Sequence, residues 1–201
     1  MYKFYQKDNK KLFAGTVENV KTITKDGANS VIVTLSDFTD ENIDIFFNNN
    51  DVVHNADLVR KAGVKEGAYI AVLAKCSEDE KTGTGLDFKF KGQFTFKEEG
   101  KSDINVFIGT VVKPNSPREN IFSVAIPVDV YKDGNKDTIW HNISFFDSEY
   151  NGKVKNNAEK AKRVMGDNER ATAVIVAGPV KEKEYNGKIF HSAIGYRMIR
   201  K

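Results

Sequence analysis

The stretch DTIWHNISFF, residues 137–146, alternates between apolar and polar positions. A period of two predicts a β-strand with one buried side and one solvent-facing side. The first side comprises Ile139, His141, Ile143 and Phe145, and the second comprises Trp140, Asn142, Ser144 and Phe146. Because Asn142 and Ser144 are polar, the pattern predicts that Trp140 and Phe146 face solvent. For Phe146, burial beneath the following helix is an equal alternative.

The same series of elements is predicted twice along the chain. Phe13–Val17 aligns with Phe107–Val111, and each segment opens a strand. In the first half, the further predicted elements are strands at 30–37, 42–48, 68–76 and 86–96 and a helix at 51–64. In the second half, they are strands at 120–131, 138–146, 171–180 and 188–199 and a helix at 152–166. Among the closing strands, Val72 aligns with Ile175 and Gly92 with Gly195.

Five strands with a helix between the third and the fourth form the order of the OB-fold, a partly open Greek-key barrel. We therefore predict an all-β fold with short helices, made of two tandem OB-folds at residues 1–99 and 100–201. The polar segment 97–103, KEEGKSD, is the predicted hinge. Two unrelated small β domains or one larger sandwich are the alternatives, and the matched helix and strand positions favour the tandem repeat.

The second half also carries a series of short motifs. They are Phe107–Val111, Phe122–Ala125, Thr138–His141 followed by Phe145 and Phe146, Val174–Gly178, and the basic segment Lys181–Lys188. In these motifs, this half of the chain resembles the bacterial-type single-stranded DNA-binding proteins, which are OB-folds. The strand with Trp140 and His141 is the most specific part of the resemblance. In that family, the aromatic residues at the positions of Trp140 and Phe146 stack on bases, so the resemblance implies this role here.

A single-stranded nucleic acid is held by aromatic platforms for its bases and by cations for its phosphates. Tyr131 and Tyr185 are further candidate platforms, although tyrosines at strand ends commonly cap a barrel. The candidate cations, all on predicted strands or hairpins of the second repeat, are Lys113, Arg118, Lys132, Lys136, Lys181, Lys183, Lys188 and Arg197. The three lysines that flank Tyr185 are favoured, because the hairpin between strands four and five commonly holds ligands in this fold.

The first repeat has a different pattern on its third strand. Alternation at 42–48 places Ile43, Ile45 and Phe47 on the core side, and it leaves Asn42, Asp44, Phe46 and Asn48 outside. Carboxylates at such a face repel a phosphate backbone. The four phenylalanines of 86–96 share one side and are predicted to be barrel core. We therefore expect the first repeat to be a weaker binding surface, or mainly a dimerisation and support module.

The charge distribution also differs between the halves. Residues 1–100 contain 14 Lys and Arg against 16 Asp and Glu, whereas residues 101–201 contain 17 against 12. The basic half is the natural place for a polyanion, although an asymmetry of this size is also typical of plain solvated surface. The single Cys76, an N-terminal sequence without an apolar signal-peptide core and the lack of a membrane-length apolar run predict a cytoplasmic protein.

Catalytic and cofactor motifs are missing from the sequence. It contains no phosphate-binding loop of the G-x-x-x-x-G-K type, no G-x-S-x-G and no H-E-x-x-H. The three histidines, His54, His141 and His191, are scattered and have no cysteine partner, so a zinc site is not expected. We expect His141 to be an interior histidine with its hydrogen bonds satisfied. The sequence therefore predicts a non-catalytic protein without a metal or cofactor.

These observations predict largely sequence-independent binding of single-stranded DNA in replication, recombination or repair, and they do not separate DNA from RNA. Four OB modules commonly surround one strand in the resembled family, so two per chain imply a homodimer. Members of the family usually end in an acidic tip that recruits enzymes, whereas this sequence ends GYRMIRK. We therefore expect no recruitment through such a tail, in a bacterial host or in a phage or mobile element. The alternative is a protein-interaction or structural module whose exposed aromatic residues form an interface.

Overall fold

The computed structural model describes residues 2–3, 10–25, 28–36, 42–49, 55–79, 81–89, 91–97, 99–150 and 152–200. The chain divides into two compact units, Met1–Phe90 and Lys91–Lys201. The sequence places the boundary later, between residues 99 and 100. The difference arises at a short strand, Gly92–Phe96, which pairs antiparallel with a strand of the second unit.

The first unit is built around one mostly antiparallel sheet that closes on itself. Its elements are β1 (Tyr2–Lys3), β2 (Lys10–Lys25), β3 (Ala28–Ser36), β4 (Asn42–Asn48), α1 (Asn55–Lys61), β5 (Tyr69–Cys76) and β6 (Thr82–Lys89). The strand order is β1-β2-β3-β4-β6-β5, and β5 also pairs with β2. Strand β6 pairs parallel with β4 and antiparallel with β5. Strands β2 to β6 therefore form a closed five-stranded barrel.

The second unit repeats this arrangement, with longer second, third and fifth strands. Its elements are β7 (Gly92–Phe96), β8 (Ile104–Arg118), β9 (Ile121–Lys132), β10 (Asn135–Tyr150), β11 (Lys153–Asn156), α2 (Asn157–Met165), β12 (Arg170–Ala177), β13 (Lys181–Tyr185) and β14 (Lys188–Arg200). The strand order is β11-β10-β9-β8-β12-β14-β13, with β7 beside β8 and a further pairing of β10 with β14. That parallel pairing closes the barrel.

Both barrels have the strand order 1-2-3-5-4-1, and each has a helix between its third and fourth strands. This is the topology of the OB-fold, so the predicted fold class, all-β with short helices and two OB barrels, is confirmed. The predicted alignment of Val72 with Ile175 agrees with the register. Phe13 pairs with Val72 in the first barrel, and Phe107 pairs with Ile175 in the second.

Helix α2 is held to the end of β10 by one side chain. Asp147 Oδ1 accepts hydrogen bonds from the backbone N–H groups of Ala158, at 2.8 Å, and of Glu159, at 3.3 Å. These donors belong to the first turn and have no partner within the helix. The apolar side of α2, Ala158, Ala161 and Met165, is buried in the barrel core. The helix therefore closes one end of the second barrel.

Each barrel core contains a phenylalanine of the third strand packed onto a glycine of the fifth. Phe47 and Phe145 are fully buried. A Cβ atom added at Gly85 would lie 2.3 Å from the Phe47 ring, and one added at Gly195 would lie 2.4 Å from the Phe145 ring. The two strands can approach at these positions only because the fifth strand has no side chain there.

The prediction that 86–96 is a single strand of the first barrel is wrong. Strand β6 ends at Lys89 and β7 begins at Gly92, whose φ of 98° lies in the left-handed region. Gly92 belongs to the second unit, so the partner of Gly195 in the repeat is Gly85, not Gly92. Phe94 and Phe96 are buried, but they lie on β7 beside β8. Phe90 lies outside the described residues.

We predict that Gly195→Ala destabilises the second unit by about 1–3 kcal/mol, because the added methyl group must displace a fully buried ring. Urea unfolding followed by the fluorescence of Trp140, the only tryptophan, measures the change. Gly109→Ala is the control, since a Cβ atom there would meet Ile126 Cδ1 at an ordinary 3.7 Å. Equal midpoints for the two variants would contradict the packing argument.

Candidate nucleic-acid interface

Trp140 and Phe146 lie on the solvent-facing side of β10, as the alternation predicts. Trp140 is 46% exposed and Phe146 is 37% exposed, whereas His141, Ile143 and Phe145 between them are buried. Strand β10 is the third strand of the second barrel and runs between β9 and β14. We call the side of the barrel that carries Trp140 and Phe146 the aromatic face.

The fifth strand adds three large apolar side chains to this face. Strand β14 runs parallel to β10, with Ser192 opposite Asn142 and Ile194 opposite Ser144. Residues opposite one another in a sheet point to the same side. The exposed large apolar side chains on this side of β14 are Phe190, Ile194 and Tyr196. They were not among the candidate residues from the sequence.

Tyr196 reaches the aromatic face through an irregularity in β14. Ala177 pairs with Gly195 while Val176 pairs with Arg197, so Tyr196 is an extra residue between the two pairs. Such a bulge re-aims a side chain. The Tyr196 ring lies over Gly178, where an added Cβ atom would be 2.5 Å from the phenolic oxygen. Gly178 thus leaves space for this tyrosine.

The hairpin β13–β14 sorts its charges onto opposite sides. Lys183 pairs with Phe190, Lys181 with Ser192 and Tyr185 with Lys188, so these residues share the aromatic face. Glu182 and Glu184 alternate with the lysines and lie on the other side, opposite His191 and Ile189 respectively. Asn186 and Gly187 at the tip both have positive φ, which suits the tight turn of a two-residue hairpin. The repeated Lys-Glu sequence therefore produces one cationic side and one anionic side.

At one end of the aromatic face, Lys113 covers Trp140. Its Nζ atom lies 5.1 Å from the centre of the indole ring, within range of a cation–π interaction of about 0.5–1 kcal/mol. Lys113 has a φ of 54° and lies where the register of β8 with β9 shifts. An open cleft of about 670 Å³ beside Trp140 is lined also by Val112, Pro114, Glu169 and Arg170.

At the other end, Phe146 borders an apolar cleft of about 410 Å³. Its lining includes Ile194, Tyr196 and Pro179, with Lys181 and three serines as polar members. Arg118, on the β8–β9 hairpin, pairs with Ile121, which in turn pairs with Phe146. Arg118 therefore belongs to the same end of the aromatic face.

Other residues predicted from the sequence are placed less favourably. Lys136 forms an ion pair of 2.9 Å with Asp129, which holds the pKa of that lysine above its ordinary value. Its cation is already neutralised. Tyr131 is exposed opposite Lys136, beyond Trp140 near the β9–β10 turn. Arg197 pairs with Val176 of β12, past the last pair between β10 and β14. The side chain of Lys132 lies outside what the structure describes.

His141 is buried, but its hydrogen-bonding groups are not all satisfied. Its Nδ1 atom has no hydrogen-bond partner among the described residues. The expectation that the hydrogen bonds of this histidine are satisfied is therefore wrong. The imidazole ring packs 5.0 Å from Phe107 and 5.3 Å from His191, measured between ring centres. Burial, with a smaller contribution from His191, lowers the pKa of His141 to about 4. The neutral form therefore predominates in the folded protein at pH 7.

The first barrel has amides where the second has aromatic residues. Phe47 and Phe145 occupy the same place, each packed on a glycine of the fifth strand. Counting from these residues along the third strands, Asn42 corresponds to Trp140 and Asn48 to Phe146. Asp44, between the two amides, accepts a hydrogen bond of 2.6 Å from Thr34. At these three positions, this side of the first barrel is polar and offers no stacking platform.

Two negative findings concern only the described part of the chain. There, no three or more His, Cys, Asp or Glu side chains are grouped closely enough to hold a metal ion. Within the same ranges, neither helix is long and apolar enough to cross a membrane.

Comparisons with known proteins leave the family open. No family model matches the chain, and no curated protein matches it. Among solved structures, the chain is similar to a replication protein A heterotrimer bound to single-stranded DNA, with 12% identity and a TM-score of 0.28. The match covers 96% of this chain, which spans about half, 49%, of that one. At this TM-score the similarity carries no argument, and the fold assignment rests on the strand topology.

We predict that the free energy of unfolding falls between pH 6.5 and pH 4 because His141 must remain neutral in the folded state. The histidine contributes its full share of stability above pH 6.5, its ordinary pKa, and loses it as the pH approaches 4. The loss is on the order of 2 kcal/mol. Urea unfolding at several pH values measures it, and His141→Leu should show a weaker pH dependence in this window. An unchanged dependence in that variant would contradict the assignment.

Proposed function

We propose that the second unit binds single-stranded DNA without catalysis and with little sequence preference, through the aromatic face. One observation carries the proposal: aromatic side chains from β10 and β14 and lysines from β13 share one side of the barrel, while Glu182 and Glu184 lie on the other. Either feature alone is common on protein surfaces. Their combination matches what a single strand offers, which is flat bases along a charged backbone.

The aromatic residues supply the preference for single strands. Every base has a π-face, and stacking on an aromatic side chain contributes about 1–3 kcal/mol per base with little dependence on sequence. In a duplex, the bases already stack on one another and do not expose these faces. Trp140 and Phe146 are proposed as the main platforms, with Phe190 and Tyr196 beside them.

The lysines supply the attraction to phosphates. Lys181, Lys183 and Lys188 line the margin of the face, and Lys113 and Arg118 lie at its two ends. Each phosphate that is neutralised on a single strand contributes about −0.7 to the slope of log K against log salt. Binding is therefore proposed to weaken steeply as salt increases.

The remaining features of the proposal rest on the sequence. We propose a role in replication, recombination or repair, with the first barrel as a support or dimerisation module. Its amides at positions 42 and 48 favour that division of labour. Homodimer formation and a cytoplasmic location stay predictions.

We predict that the protein binds labelled oligo-dT in a fluorescence anisotropy titration at low salt and binds duplex of equal length much more weakly. Lys181→Ala with Lys183→Ala should reduce the magnitude of the salt slope by about 1.4, measured between about 50 and 200 mM salt. Glu182→Gln with Glu184→Gln, on the other side of the same hairpin, is the matched control and should leave the slope unchanged.

Failure of the wild-type protein to bind any single strand would overturn the proposal and favour a protein-interaction module. Equal slopes for the lysine variant and the wild type, with binding retained, would exclude the hairpin as a phosphate site. Thermal unfolding followed by circular dichroism checks that the variants are folded.

A further inference from the structure

The aromatic face continues beyond Phe146 onto a second hairpin. Strand β10 extends to Tyr150 and pairs there with β11, with Ser148 opposite Lys155 and Tyr150 opposite Lys153. Ser148 is two residues past Phe146, so both lie on the same side of β10, and Lys153 is two residues before Lys155 and shares its side of β11. Lys153 and Lys155 therefore project from the side that carries Trp140 and Phe146.

This hairpin sorts its charges in the same sense as β13–β14. The two lysines share the aromatic face, while Glu149, opposite Val154, lies on the other side. Asp147 is on that other side too and is occupied with the first turn of α2. Both lysines are exposed, and within the described residues neither ammonium group has an ion-pair partner. Two separate hairpins thus add unpaired cations to one surface and keep carboxylates off it.

We infer that Lys153 and Lys155 form a binding site for the phosphodiester backbone of the single strand that continues past Phe146. The inference rests on the proposed function and extends it to residues outside the barrel. Along β10, Trp140 and Phe146 are about 20 Å apart, and the backbone pair of Tyr150 with Lys153 lies about 13 Å beyond Phe146. A single-stranded DNA that covers only the part of the aromatic face between Trp140 and Phe146 ends before this hairpin, and a longer one crosses it.

Helix α2 provides an internal comparison, because it is basic as well. Lys160 and Lys162 are exposed on the helix that follows β11 directly, outside the paired residues of the β10–β11 hairpin. General attraction to a basic region would treat both pairs of lysines alike. A defined path along β10 and β11 would involve Lys153 and Lys155 only.

The experiment compares two double variants. The β11 variant carries both Lys153→Ala and Lys155→Ala, and the α2 variant carries both Lys160→Ala and Lys162→Ala. Both variants remove two positive charges from neighbouring exposed segments. Each is titrated by fluorescence anisotropy with oligo-dT of about 6 nucleotides, near the lower end of the usual site of one OB-fold, and of about 20 nucleotides, above its upper end. For the longer strand, the β11 variant should lower the affinity roughly ten-fold at low salt and reduce the salt slope by about 1.4. For the shorter strand, it should match the wild type.

The α2 variant should bind both lengths as the wild type does. The inference would be overturned if the β11 variant bound the longer oligo-dT with the affinity of the wild type, or if the α2 variant lost as much affinity as the β11 variant. Either result would leave the proposed function intact. Failure of the wild-type protein to bind either length would overturn both.

Discussion

The parallel pairing of the third and fifth strands is the constraint on which the second unit depends. That pairing closes the barrel, and it requires β14 to approach β10 closely where the Phe145 ring packs on Gly195. Once this contact is made, the register places Ile194 opposite Ser144 and carries Phe190 and Tyr196 beside Trp140 and Phe146. The core contact thus determines which side chains share the outer face, because side chains alternate along a strand and each buried residue places its two neighbours on the exposed side.

The two-residue period of a strand also explains how charge is distributed around the barrel. In KEKEY, residues 181–185, alternation sends lysines to one side and glutamates to the other. The β10–β11 hairpin does the same with Lys153, Lys155 and Glu149. The chain has a net charge of only +3. A modest overall charge is therefore compatible with a strongly basic surface, since opposite charges occupy opposite sides of the same strands.

Local patterns predicted the two barrels and the exposure of Trp140 and Phe146, because alternation and element order can be read within short segments. The contribution of β14 could not be read in this way. Alternation in KIFHSAIGYRMI groups Phe190, Ile194, Tyr196 and Met198 as one apolar side, which is typical of core. The bulge at Tyr196 breaks that series, so Met198 enters the core and the others stay outside. The break at Gly92, the ion pair of Lys136 and the unpaired Nδ1 of His141 likewise depend on contacts between distant segments.

The most direct test of this account uses Trp140, the only tryptophan, as its own reporter. Intrinsic fluorescence is measured while oligo-dT is added at low salt, with a duplex of equal length as the reference. Stacking of a base on the indole ring, with displacement of Lys113, predicts strong quenching by the single strand alone and its reversal by salt. Fluorescence that stays unchanged while binding is detected by anisotropy would contradict the central role of Trp140.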